Sequence, residues 1–297
     1  MKSQKYGVEI EFTGLTRYMA AKKAAEFFKT KPEHIGGSYD KYHIKDGKGR
    51  IWNIVSDESI DPQKKEKGEV IPAPDTYKIE LVSPILNYND IELLQELVRK
   101  LRKAGMVVNK SCGIHIHIDG SNHTPLSLKN LVNLIASKEE LLYKSLEIDT
   151  ERLRYCKKVN EKLLSTINKK KPKTLGELAD IWYQGYGSES RKRHYHRSRY
   201  HGLNLHSIFD KGTVEFRLFN STTHAGKIKA YIQFCLAVSH QAIRQKSASS
   251  KRTVTDNEKY TFRCWMLRLG LIGKEFETCR HHFLAKLEGN PAWRHTA

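Results

Sequence analysis

Carboxylates and imidazoles recur in this chain at a two-residue spacing, which puts them on one face of a β-strand. In Y-G-V-E-I-E-F, Tyr6–Phe12, the side chains of Val8, Ile10 and Phe12 point one way while Gly7, Glu9 and Glu11 point the other. In C-G-I-H-I-H-I-D, residues 112–119, Ile114, Ile116 and Ile118 oppose Gly113, His115, His117 and Asp119. In G-T-V-E-F-R-L-F, residues 212–219, Val214, Phe216 and Leu218 alternate with Thr213, Glu215, Arg217 and Phe219. Within residues 77–83, Ile79 and Leu81 flank Glu80 and turn it away from their own face.

Two like charges on one strand face repel, so Glu9 and Glu11 imply a cation or a cationic ligand between them. If the four strands pair into one sheet with helices on the apolar side, Glu9, Glu11, Glu80, Glu215, His115, His117 and Arg217 converge on the other side. Four carboxylates and two imidazoles make an oxygen-rich site for Mg²⁺ or Mn²⁺ rather than a thiolate zinc site.

The elements that must hold these residues are legible between them. Helices are expected over residues 17–29, 89–104, 127–146, 151–168, 174–183, 226–245, 257–269 and 274–287, from apolar periodicity and end signals. Thr174 followed by Glu177 reads as a capping box, and Gly105 as a helix stop. Residues 40–57 read as a hairpin turning through D-G-K-G, which lacks the residues of a phosphate loop. Residues 201–208 and 213–219 read as a second hairpin. Residues 61–75 mix prolines, glycine and lysines, and read as an exposed loop leading to Glu80, a candidate lid. Residues 185–200 interleave glycine, arginine and aromatic residues, as a loop that clamps phosphates or stacks on bases would.

Strands joined by short turns and interleaved with helices favour an α+β fold around a largely antiparallel sheet, helices on one face and the active site on the other. The expected organisation is a single catalytic domain over residues 1–297 with a helical insertion at about 121–184.

Composition narrows the class of protein. The chain has 297 residues and 39% hydrophobic content, enough for a large core, and no apolar run near the ~18 to 20 residues of a membrane span. Its N-terminus lacks an apolar signal region, so a cytoplasmic protein is expected. The five cysteines include no C-x-x-C pair, which argues against a disulfide framework or zinc knuckle; Cys112, beside the histidine pair, is the one with a chemical candidacy. A net charge of +19 would attract ATP, acidic peptides or nucleic acid, and an acidic peptide or modified nucleic acid is an expected substrate.

Five motifs in register carry a family resemblance: G-V-E-I-E-F, W-N-I-V-S-D-E-S, I-E-L-V-S-P-I-L, C-G-I-H-I-H-I-D and L-N-L-H-S-I-F-D-K-G-T-V-E-F-R-L-F-N-S-T. Over about residues 6–223 the chain resembles the amidoligase family of the carboxylate-amine ligase superfamily, with glutamine synthetase and glutamate-cysteine ligase. The resemblance implies a glutamine synthetase-like catalytic fold. It also implies ATP-dependent amide formation through an acyl phosphate, with two or three Mg²⁺ or Mn²⁺ ions. On that resemblance Glu9, Glu11, Glu80, His115 and Glu215 are expected metal ligands, and His117 stands nearer the ATP phosphates. Arg217 is expected to stabilise the transferred phosphoryl group, while Arg199 and Asn204 match positions at the nucleotide. Asp57 and Ser59 also match family positions; Glu58 stands between them where the family has a small residue. A metal-dependent nuclease or phosphohydrolase would use a similar set of ligands, and a nucleic-acid-binding module would use the basic charge.

Overall fold

The computed structural model describes residues 1–187, 191–193 and 195–293. The expected loop at 185–200 therefore falls in part, at residues 188–190 and 194, outside the described residues. The chain divides into two compact units, one of Lys5–Ile116 with Phe219–Lys229, the other of Met1–Gln4, His117–Leu218 and Ala230–Ala297.

The first unit contains β1 (Tyr6–Phe12), α1 (Arg17–Phe28), β2 (Pro32–Gly36), β3 (Lys41–Lys45), β4 (Ile51–Val55), β5 (Gln63–Glu66), β6 (Glu69–Pro72), β7 (Ile79–Val82), α2 (Ile91–Ala104) and the start of β8 (Gly113–Asp119). Its strand order is β2-β3-β4-β7-β1-β8, and the β2–β3, β3–β4, β4–β7 and β7–β1 pairs are antiparallel. The period-two pattern sets the faces: Val8, Ile10, Phe12, Ile54, Ile79 and Leu81 are all buried.

The helices show why they stop where they do. α1 is capped by the Thr16 hydroxyl and buries Ala20, Ala21, Ala24 and Ala25, small side chains that permit close packing; it ends as Lys29 turns left-handed at φ 58°. α2 buries Leu94, Leu97, Val98 and Leu101, worth about 2 kcal/mol each, and Gly105 closes it at φ 115°. Gly14 must remain glycine, since a Cβ there would lie 2.3 Å from the Gly105 carbonyl oxygen.

The same unit holds a closed ionic network. Arg50 reaches Asp46 at 2.8 Å and both oxygens of Asp90 at 2.8 and 3.2 Å; Lys48 adds a bond to Asp90, and the Trp52 indole donates to Asp46. Burial opposes ionisation of Asp90, but Arg50, Lys48 and the Asn87 backbone N–H outweigh it and hold the carboxyl far below its usual range.

The second unit continues β8 and adds α3 (Pro125–Leu146), α4 (Glu161–Lys170), α5 (Leu175–Trp182), β9 (Leu203–Asn204), α6 (His206–Asp210) and β10 (Thr213–Asn220), whose last two residues belong to the first unit. α7 (Ala225–Arg244) begins in the first unit and continues here, followed by α8 (Glu258–Arg268) and α9 (Glu277–Leu284). β9 and β10 are antiparallel, with Asn204 opposite Glu215 and Leu203 opposite Phe216. The closing helices pack through Phe234, Phe262, Trp265 and Phe283, with ring centroids 4.7 to 6.1 Å apart. Beneath α3, His123 is buried between the hydroxyls of Ser127 and Ser239, and burial lowers its pKa to about 4.

The architecture is α+β with a large antiparallel sheet, as the sequence implies, but four local expectations are corrected. Residues 61–75 are not an irregular loop: β5 and β6 pair as a two-stranded ribbon turning at Lys67 and Gly68. The helix expected over 151–168 is broken, because the Lys157 backbone bonds to Tyr200 and Gly202 and Asn160 starts α4 afresh. Only Leu203 and Asn204 form the strand expected over 201–208, as the Asn204 side chain accepts from the His206 N–H and turns the chain into α6. Glu177 does not complete the capping box; Thr174 caps its N–H, while its carboxylate accepts from the Lys173 N–H. Among the described residues no helix is long and apolar enough to cross a membrane, and all five cysteines are free.

Candidate active site

In the first unit the acidic face is assembled by strand register. β1 and β7 pair with Glu11 directly opposite Glu80, so the alternation that buries Ile10, Ile79 and Leu81 also stacks two carboxylates on the opposite face. β8 contributes His115. One ligand atom from each of Glu11, Glu80 and His115 lies within 4.8 Å of the others. The His115 Nε2 stands 3.5 Å from Glu11 Oε1, and its Nδ1 stands 3.1 Å from Glu9 Oε2. Glu11 is further fixed by the Gly113 backbone N–H, which donates to its Oε2 at 2.5 Å.

That donor set tests the fit of a metal. Two carboxylates and an imidazole suit a hard or borderline divalent ion such as Mg²⁺ or Mn²⁺, and no thiolate joins them. Cys112, the adjacent cysteine, is buried and directs its thiol to the Asn109 side chain at 3.5 Å. Glu9 remains partly open, at 17% side-chain exposure, whereas Glu11 is only 4% exposed, so the two strand neighbours differ in access to solvent.

In the second unit β10 presents Thr213, Glu215 and Arg217 on one face, again by period two. Glu215 accepts from Arg217 Nη1 at 2.5 Å and from Asn204 Nδ2 at 2.6 Å, one donor on each carboxylate oxygen. The β9–β10 register explains the second bond, since Asn204 lies opposite Glu215. His117 Nε2 stands 3.8 Å from Glu215 Oε1, and its Nδ1 stands 3.1 Å from the Thr213 hydroxyl, which in turn meets the Ser207 hydroxyl at 2.7 Å. All of these side chains except Thr213 are buried.

Thr213 and Ser207 hold His117 and did not stand out as functional in the sequence. Thr213 had a signal, its place two residues before Glu215 on the same face. Ser207 had none, because its segment reads as a strand and folds as the α6 helix.

Asp57 and Ser59 form a closed turn, the Asp57 carboxylate accepting from both the Ser59 N–H and its hydroxyl. Glu58 is exposed and pairs with Lys78 at 3.1 Å, so its bulk is carried outward rather than into a ligand position. Arg199 ends a short 3₁₀ turn, Arg197–Arg199, with its guanidinium 5.3 Å from the centre of the Tyr195 ring.

Each group can do a distinct piece of chemistry. The first can concentrate negative charge around a cation. The second offers a buried guanidinium, whose orientation is set by a carboxylate, beside an imidazole fixed through its far nitrogen. Such a pair can meet an anionic oxygen. Against known proteins, a family model described as "Putative amidoligase enzyme" matches residues 2–239. No curated protein matches the chain.

Proposed function

The chain belongs to the amidoligase family, and from that premise we propose that it is an ATP-dependent ligase joining a carboxylate to an amine through an acyl phosphate. One observation carries the reading furthest: the β1–β7 register that sets Glu11 opposite Glu80, with His115 close enough to share one ion. Like charges opposed in this way destabilise a sheet, so their retention in buried or half-buried positions is accounted for by a cation they hold.

Glu9, Glu11, Glu80 and His115 would hold Mg²⁺ or Mn²⁺, which when bound supplies charge neutralisation at phosphate oxygens. The residues of the second group have roles of their own. Arg217, braced by Glu215, offers N–H donors to the phosphoryl oxygens as charge shifts during transfer. Asn204 holds the other oxygen of Glu215 and so fixes the plane from which Arg217 is aimed. His117, anchored at Nδ1 by Thr213, presents Nε2 on the Glu215 side.

The chemistry needs this arrangement. A carboxylate is a poor acyl donor because its leaving group is oxide; phosphorylation turns that oxygen into a good leaving group, and amine attack then forms the amide and releases phosphate. The +19 charge raises the encounter rate with ATP and with an acidic substrate.

The test is ADP and phosphate release from ATP with Mg²⁺ or Mn²⁺, in pools of amino acids, polyamines and acidic peptides, beside Glu215→Ala. The reading expects metal-dependent ADP release that requires both a carboxylate and an amine, with a loss of about 10² to 10³ in the variant. ADP release indifferent to the carboxylate and amine, or nucleic-acid cleavage by the metal-loaded protein, would defeat it.

A further inference from the structure

A cavity of about 320 Å³ opens in the second unit beside the first turn of α4. Its size falls within the ~300 to 1,000 Å³ of small-ligand sites. Three rings form one wall: Trp182, Tyr186 and His201. Each is held. The Trp182 indole donates to the Ser198 hydroxyl at 3.0 Å, and its ring meets His201 edge-on, centroids 5.6 Å apart. His201 Nδ1 lies 3.2 Å from the Lys158 carbonyl oxygen, which can only accept, so Nδ1 carries the proton. Its Nε2 then accepts from the Tyr186 hydroxyl at 3.2 Å. Leu163 and Ile181 add apolar surface, while Asn160, Thr166 and Gln184 add polar groups, so the lining can take a flat ring that also carries a polar end.

The lining also carries positive charge. Lys162 lines the cavity from the first turn of α4, where Asn160 caps the Lys162 and Leu163 N–H groups. The positive end of the helix adds to the charge of this residue. Glu161, the acid of that turn, is engaged by Arg252, and among the described residues none lining the cavity is acidic.

We propose that this cavity binds a small planar aromatic carboxylate, its ring among Trp182, Tyr186 and His201 and its charge at Lys162. His201 precedes Asn204 by three residues, so at most about 10 Å of extended chain separates the cavity wall from the Asn204–Glu215 pair. The role, though not the binding, rests on the ligase reading: the cavity holds the non-reacting end of an acidic aromatic substrate.

The experiment is calorimetric and saturation-transfer NMR titration of the full chain, without ATP or metal, using benzoate and indole-3-carboxylate as probes and benzamide and acetate as controls. Saturable binding of an aryl carboxylate is expected, about tenfold or more tighter than either control, as loss of one charge-assisted contact or of the ring would give. Lys162→Ala, at an exposed position, should weaken it about tenfold, and Leu163→Trp should fill the cavity and abolish it. Glu215→Gln should bind as the wild type does. Failure of both aryl acids to bind, or binding indifferent to Lys162→Ala, overturns the proposal. Binding lost in Glu215→Gln also overturns it, by placing the ligand at the Glu215 group. ADP release indifferent to carboxylate and amine, or nucleic-acid cleavage, would defeat the ligase reading and leave this binding result intact.

Discussion

Two sets of buried or half-buried carboxylates lie in the same unit and are arranged in different ways. Asp46 and Asp90 are joined by donors of the chain itself: the Arg50 fork spans both, Lys48 joins one, and an indole N–H joins the other. Glu11 and Glu80 are directed inward to a common point shared with His115. The first arrangement uses acidity to pin the turn of a hairpin to the start of α2. The second gathers acidity where a strand register repeats it. Identical side-chain chemistry thus stabilises the fold in one place and prepares a site in the other, and what each pair converges on, a guanidinium or a metal-ligand cluster, tells them apart.

The largest expected effect lies at the inward set. Glu11→Gln should lower metal-dependent ADP release by about 10² to 10³ while thermal stability without metal stays level or rises, because a like-charge pair is relieved. Asp90→Asn should do the reverse. It leaves Arg50 and Lys48 facing an amide in place of a carboxylate and weakens the bond from the Asn87 N–H. Denaturant unfolding should show a loss of about 3 kcal/mol, with the activity of the folded protein unchanged.

A smaller difference should separate the sets by ligand. Mn²⁺ at about 100 times its Kd should stabilise the wild type by about 2.7 kcal/mol in a thermal melt. Asp90→Asn should keep that increment and Glu11→Gln should lose it.

Protons give the finest distinction. The folded pKa of Asp90 is depressed, so on acidification the unfolded chain takes up its proton first, near pH 4. Its contribution to stability is complete above that pH and is lost below it; Asp90→Asn should flatten this part of the stability curve. His123 titrates in a separate window. Buried and neutral when folded, with its pKa lowered to about 4, it lets the unfolded chain bind the extra proton as pH falls from about 6.5 to 4. Stability should therefore decline across that range, and His123→Gln should remove the decline.

The sequence displays the inward set better than the Asp46–Asp90 set. Alternation in β1, β7, β8 and β10 exposes Glu9, Glu11, Glu80, His115, His117 and Glu215 because a strand's faces follow directly from period two. The pairing of Glu11 with Glu80 is a matter of register across sixty-nine residues of chain, so only the fold supplies it. The Asp46–Arg50–Asp90 network gave no local signal at all, since Asp90 reaches Arg50 across forty residues and its own segment reads as an ordinary helix start. β2 carries little strand signal of its own because it opens with Pro32, yet proline at the first position of an edge strand costs no ladder bond. The break before α4 comes from backbone pairing of Lys157 with residues 200–202, a tertiary contact that overrides the helical propensity of 151–168.

That Glu11 and Glu80 share one ion is tested most directly by Mn²⁺ binding followed by electron paramagnetic resonance, in wild type and in Glu11→Gln/Glu80→Gln, with folding checked by circular dichroism. Saturable Mn²⁺ binding is expected in the wild type, and its loss in the folded double variant. Equal binding by both proteins, or none by the wild type, would contradict it.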